Sequence, residues 1–68
     1  MSADLALERV KQIEEALQSG KKVVIRGVIV KKVEIVSTPR SIIVKINDGE
    51  LNLYPSELNR VRINILDQ

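Results

Sequence analysis

Between Val23 and Ile46, 13 of 24 residues are valine or isoleucine. β-branched side chains lose rotamer freedom against a preceding helical turn but pack well on a pleated surface, so this stretch demands a sheet. Val23–Val30 is interrupted only by Arg26 and Gly27, which predicts a strand with two largely apolar faces and a bulge or bend at the glycine. The chain reverses either there or at Lys31-Lys32; spacing alone leaves both open. Val33, Ile35 and Val36 continue the sheet as far as Ser37–Ser41, where Pro39 removes a backbone donor and forces a connection.

Ile42, Val44 and Ile46 then alternate with Ile43, Lys45 and Asn47, and Asp48-Gly49 supplies two residues suited to positive φ. A tight hairpin follows, with Asn47 opposite Glu50, Ile46 opposite Leu51 and Val44 opposite Leu53. Pro55-Ser56-Glu57-Leu58 reads as a single helical turn. Val61, Ile63 and Ile65, alternating with Arg60, Arg62 and Asn64, form a last strand.

Ahead of the sheet, Ala3, Ala6, Leu7, Val10, Ile13 and Leu17 recur at three- and four-residue steps, which predicts a helix over residues 3–18. Ser2 suits its N-cap and Gly20 its stop, while Glu8, Lys11, Gln12 and Glu15 form the polar face. The expected whole is one mostly-β domain over 1–68: an N-terminal helix, then five short antiparallel strands within 22–65. Closure into a strongly bent small barrel would hide the edges of so short a sheet.

The 68 residues include no Cys, no His, no Trp, no Phe and a single Tyr. Disulfides, thiolate metal sites, histidine triads and zinc fingers are thereby excluded. Ser37, Ser41 and Ser56 have no histidine to activate them, the carboxylates are scattered, and the three glycines form no phosphate loop. The expectation is a non-enzyme without metal or cofactor. No run approaches the roughly 18 apolar residues of a membrane span, and acids occupy the N-terminus, so a cytoplasmic protein with no membrane partner is expected.

The net charge of +2 conceals a division: residues 1–19 carry −2, and residues 46–68 also carry −2. Between them Lys21, Lys22, Arg26, Lys31, Lys32, Arg40 and Lys45 face Glu34 alone, giving +6. A basic middle suits an anionic partner; lysines on sheet edges also discourage aggregation.

The order of helix, bent strand, hairpin and the stretch Tyr54-Pro55-Ser56-Glu57-Leu58-Asn59-Arg60-Val61 resembles the Sm-like family of small barrels, in particular its bacterial RNA-binding branch, Hfq. There the stretch reads Tyr-Lys-His-Ala-Ile-Ser-Thr-Val, so Tyr54, Leu58 and Val61 match in place, and Ser41-Ile42 falls where the family has a polar residue followed by an aromatic or apolar one. The chain departs from the pattern at Pro55-Ser56, in place of Lys-His or Arg-Gly, and at Ile42, in place of a base-stacking aromatic. The resemblance implies an Sm-like barrel, of the wider SH3-like architecture, and a homo-oligomeric ring of five to seven subunits joined through the last two strands. It also implies binding of single-stranded RNA, for which the candidate residues are Lys31, Lys32, Arg40, Ser41, Asn47, Tyr54, Arg60 and Arg62. The competing expectation is a protein-interaction or assembly module with the same barrel and no nucleic-acid role, in which Tyr54 is an interface or core ring.

Overall fold

A computed structural model describes the backbone of residues 2–67 and the side chains from Leu5 to Asp67. The Ser2 cap and the Ala3 contact expected from the sequence lie outside the described side chains. Helix α1 (Ser2–Gln18) is followed by β1 (Lys22–Ile25), β2 (Val28–Val30), β3 (Val33–Ser37), β4 (Ile42–Ile46), β5 (Leu51–Leu53), α2 (Pro55–Arg60) and β6 (Ile63–Leu66). The strands form two three-stranded antiparallel sheets, in the orders β2-β1-β6 and β3-β4-β5, and no barrel is closed among them.

Six strands therefore replace the expected five, because the Val23–Val30 run is a hairpin and not one bent strand. Ile25 pairs with Val28 across Arg26-Gly27, whose φ angles of 51° and 77° are both positive, as a two-residue turn of the hairpin-favoured hand requires. Gly27 adopts this conformation freely; Arg26 has a Cβ and is strained by about 1 kcal/mol. Arg26→Asn should accordingly raise stability by about 0.5–1 kcal/mol in urea titrations, because asparagine tolerates positive φ. The exposed 3.8 Å pair of Arg26 with Glu57 that this substitution removes contributes little.

Only Lys31 and Lys32 separate β2 from β3, so one run of chain leaves the first sheet and enters the second. The β4–β5 register is as expected, Ile46 opposite Leu51 and Val44 opposite Leu53. The loop is longer, however: Asn47 leaves the ladder, and Asn47, Asp48 and Gly49 all have positive φ (53°, 58° and 110°). Loops of two and four residues centred on one bond give the same pairing, so the register was insensitive to the error.

The core between the sheets and α1 comprises Ala6, Val10, Ile13 and Ala16 from the helix, Val23, Ile25 and Val30 from the first sheet, and Val33, Val44, Ile46 and Leu53 from the second. Leu58 of α2 completes it. Ala16 takes the place expected of Leu7, which is 46% exposed. The helix ends as its glycine predicts: Gly20 has φ of 78°, and the Lys21 N–H donates back to the Ala16 carbonyl at 2.9 Å, satisfying an otherwise orphaned acceptor. Helix α2 is longer than the single expected turn; the Glu57 carboxylate accepts the Tyr54 N–H at 3.1 Å, and the Tyr54 carbonyl accepts from Glu57 and Leu58.

Candidate nucleic-acid interface

The eight candidate residues fall at three places in the fold. Lys31, Lys32 and Asn47 meet at the β2–β3 crossover, Arg40 and Ser41 lie in the β3–β4 turn, and Tyr54, Arg60 and Arg62 bracket α2.

At the crossover the Asn47 side chain uses its whole hydrogen-bonding capacity internally. Its Oδ1 accepts the backbone N–H of Lys31 at 2.8 Å and of Lys32 at 3.1 Å, while Nδ2 donates to the Ile29 carbonyl at 2.8 Å and to Glu50 Oε1 at 2.9 Å. The Asn47 N–H donates to the Lys32 carbonyl, also at 2.9 Å. One residue thus laces the β4–β5 turn to the chain where it changes sheets, replacing ladder bonds that neither sheet can supply there. Nothing in its sequence context marked this role.

Lys32 is similarly engaged. Its Nζ lies 3.0 Å from Asp48 Oδ1 and 3.9 Å from Glu34 Oε2, and the hydrogen bond to Asp48, followed by the charges of Asp48 and Glu34, raises its pKa above the ordinary lysine value. The stability this contributes is present below the unfolded lysine pKa and fades as pH rises through the folded one, so it is intact at neutral pH and lost only in strong alkali. The open hollow here, bordered by Ile29, Lys31, Lys32, Asp48 and Glu50, carries two cations and two carboxylates. Such a balance gives no net preference for phosphate.

In the β3–β4 turn, Ser41 stiffens the loop: its N–H donates to Thr38 Oγ1 at 3.0 Å, and its carbonyl accepts from the Thr38 N–H at 2.7 Å and the Thr38 hydroxyl at 2.8 Å. Thr38 was not among the candidates, although a Thr-Pro-x-Ser loop offers short hydroxyls that commonly bond nearby backbone. Arg40 projects from this braced turn as an exposed residue.

Tyr54 is 54% exposed where β5 passes into α2. Its backbone is fixed by Glu57, so an exposed ring stands on a fixed base. Arg60 ends α2 and Arg62 precedes β6, both exposed. Among the described residues Lys31, Arg40, Arg60 and Arg62 make no ion pair, leaving their charge for an external anion. The described residues contain no group of three or more His, Cys, Asp or Glu able to hold a metal.

Among the described residues four strands are edges: β2 and β6 each pair only with β1, and β3 and β5 each pair only with β4. Beside β6, a mixed groove runs between it and α1, where the aliphatic Leu5, Ile63 and Ile65 meet the charged Glu8, Arg9 and Arg62. No helix among the described residues is long and apolar enough to cross a membrane. No protein-family model, curated protein or solved structure matches the chain.

Proposed function

We propose that the chain is a divergent Sm-like protein that assembles into a cyclic homo-oligomer of five to seven subunits and binds single-stranded RNA through exposed arginine and lysine side chains and Tyr54. The observation that carries this reading is the exposure of Tyr54. A tyrosine serving only as core filler would be covered, whereas this residue is more than half exposed and is flanked in sequence by Arg60 and Arg62 beyond a single short helix. Stacking needs an accessible face, and phosphates need uncommitted cations. The assembly is supported by the continuous β2–β3 run, by the return of β6 to β1 and by the open edges of β5 and β6, two of the four edge strands, which a ring would pair. Pairing those edges between subunits also meets the need for closure that the separate sheets leave unmet. In this arrangement Asn47 and Ser41 shape the loops and Lys32 balances nearby carboxylates, so the contacts fall to Lys31, Arg40, Tyr54, Arg60 and Arg62.

Binding to uridine-rich and adenine-rich oligonucleotides should weaken by about fifty-fold between 50 and 200 mM salt, the loss expected when about four phosphates on a single strand are neutralised. Tyr54→Ala should cost a further factor of about 5–150, equivalent to about 1–3 kcal/mol of stacking. Absence of binding at low salt would refute the nucleic-acid role. One aromatic residue is few for a single-strand binder, and that observation favours the second reading, a protein-assembly module built on the same fold.

A further inference from the structure

We infer that two copies of the chain associate about a two-fold axis by antiparallel pairing of β3 with β3, centred on Ile35. This contact is separate from the edges a ring would use and stands whether or not the ring forms.

Of the four edge strands β3 is the longest, five residues against three in β2 and β5 and four in β6. It also lacks the devices that usually blunt an edge: Val33–Ser37 contains no Lys, Arg or Pro, and its one charge, Glu34, opposes Lys45 on the face away from the core. The edge of β2, by contrast, is occupied by the Asn47 amide, which bonds to the Ile29 carbonyl and to the N–H groups of Lys31 and Lys32.

Hydrogen-bond phase decides what β3 presents at its free side. Opposed residues of an antiparallel ladder alternate between pairs that exchange two backbone hydrogen bonds and pairs that exchange none. The β3–β4 ladder is bracketed by bonded pairs: the Thr38 N–H donates to the Ser41 carbonyl at 2.7 Å, and the Asn47 N–H donates to the Lys32 carbonyl at 2.9 Å. Alternating inward from either end, Val36 and Glu34 bond to β4, which leaves the N–H and C=O groups of Val33, Ile35 and Ser37 directed outward.

Those groups fix the register. When Ile35 meets Ile35 of the second copy, Val33 lies opposite Ser37 on both sides of the axis, and every outward group finds a partner. Moving the centre by one residue in either direction leaves Ser37 or Val33 without one. The side chains favour the same register. Ile35, 40% exposed on the core face, meets its own copy there, beside the exposed Leu7 and Ile42 that border an apolar hollow with Pro55. On the other face Glu34 lies opposite Val36, so no like charges are opposed. Leu7, Ile35, Val36 and Ile42 expose about 300 Å² of mostly aliphatic surface on each copy, and with the strand backbone the pairing buries about 1,000 Å² in all, the lower bound for a specific interface.

The chain has no cysteine, so introduced thiols report the contact directly. Opposed Cα atoms lie about 4.5–5.5 Å apart and diagonal neighbours about 7–8 Å, and only the former fall within disulfide range. Under mild oxidation Ile35→Cys should give a disulfide-linked dimer on non-reducing gels, and so should Glu34→Cys combined with Val36→Cys. Glu34→Cys alone and Val36→Cys alone, whose thiols are diagonal across the axis, should give about tenfold less. Ile35→Lys, which opposes two like charges at the axis, should weaken the association by about tenfold or more and halve the native mass at micromolar concentration. Equal cross-linking from all four cysteine variants would mean collision between exposed thiols and overturns the register. No dimer from Ile35→Cys or from the Glu34/Val36 pair, in variants that fold by circular dichroism, overturns the contact and leaves this edge to a strand of another protein. The ring is judged separately: a native mass that falls from two chains to one on Ile35→Lys upholds this contact and refutes the ring, and a mass of five to seven chains unchanged by Ile35→Lys does the reverse.

Discussion

Leu58→Ala should destabilise the protein by about 3–4 kcal/mol, the range for removing a fully buried leucine from a core that collapses only partly around the cavity. A 68-residue domain has a stability of about 3–10 kcal/mol, so the substitution removes between about a third and all of it. Leu58 is fully buried and is the only buried residue of α2. It seats that short helix against α1, and α2 sets the chain direction both at Tyr54 and at the start of β6. A helix of six residues has no stability of its own, so its position depends on this one anchor. Leu58→Met, which nearly conserves volume, should cost less than about 1.5 kcal/mol. Urea titrations at fixed protein concentration separate the two, since assembly makes apparent stability depend on concentration. A loss below about 1 kcal/mol for the alanine variant would mean that α2 is not docked through this residue.

The elements that were legible from sequence are those whose signal is a long hydrophobic period. The stripe of Ala6, Val10, Ile13 and Leu17 placed α1, Gly20 placed its end, and the alternation of Val44 and Ile46 with Leu51 and Leu53 fixed a ladder. The first hairpin was left undecided, with a reversal at Gly27 or at Lys31-Lys32 both open, because its turn is Arg26-Gly27. Arginine is a poor residue for positive φ, so local propensity argued against a turn that pairing on both sides imposes. The expected helix stripe erred at Leu7, which is 46% exposed while Ala16 is buried, because periodicity does not report which side of the stripe the sheets cover. Among the candidate site residues, exposure of Arg40, Arg60 and Arg62 followed from their charge alone. The internal engagement of Asn47 and Lys32 did not, because Ile29 and Lys31 reach Asn47, and Asp48 reaches Lys32, only after the chain changes sheets.

Asn47 is where that convergence has its largest measurable consequence. Asn47→Gly should cost about 2 kcal/mol and Asn47→Ala about 3. Glycine keeps the backbone conformation at φ of 53° while losing the side-chain bonds to Lys31, Lys32, Ile29 and Glu50. At a half-buried site where water replaces part of what is lost, four bonds contribute less than four times the usual 0.5–1.5 kcal/mol, hence about 2. Alanine loses the same bonds and adds the strain of an ordinary residue in the left-handed region, about 1 kcal/mol more. The difference between the two variants therefore measures backbone strain, and the glycine variant alone measures the clamp. Asp48→Gly is the contrasting neighbour: Asp48 also has positive φ, at 58°, and its side chain bonds only to exposed Lys32, so relief of strain should offset the lost pair and leave stability within about 0.5 kcal/mol of the parent. Equal losses at Asn47 and Asp48 would show that the turn, and not the clamp, holds the two sheets in register. A large loss at Asn47 alone would place the mechanical link between them in one amide side chain, at the point where the β2–β3 run crosses from one sheet to the other.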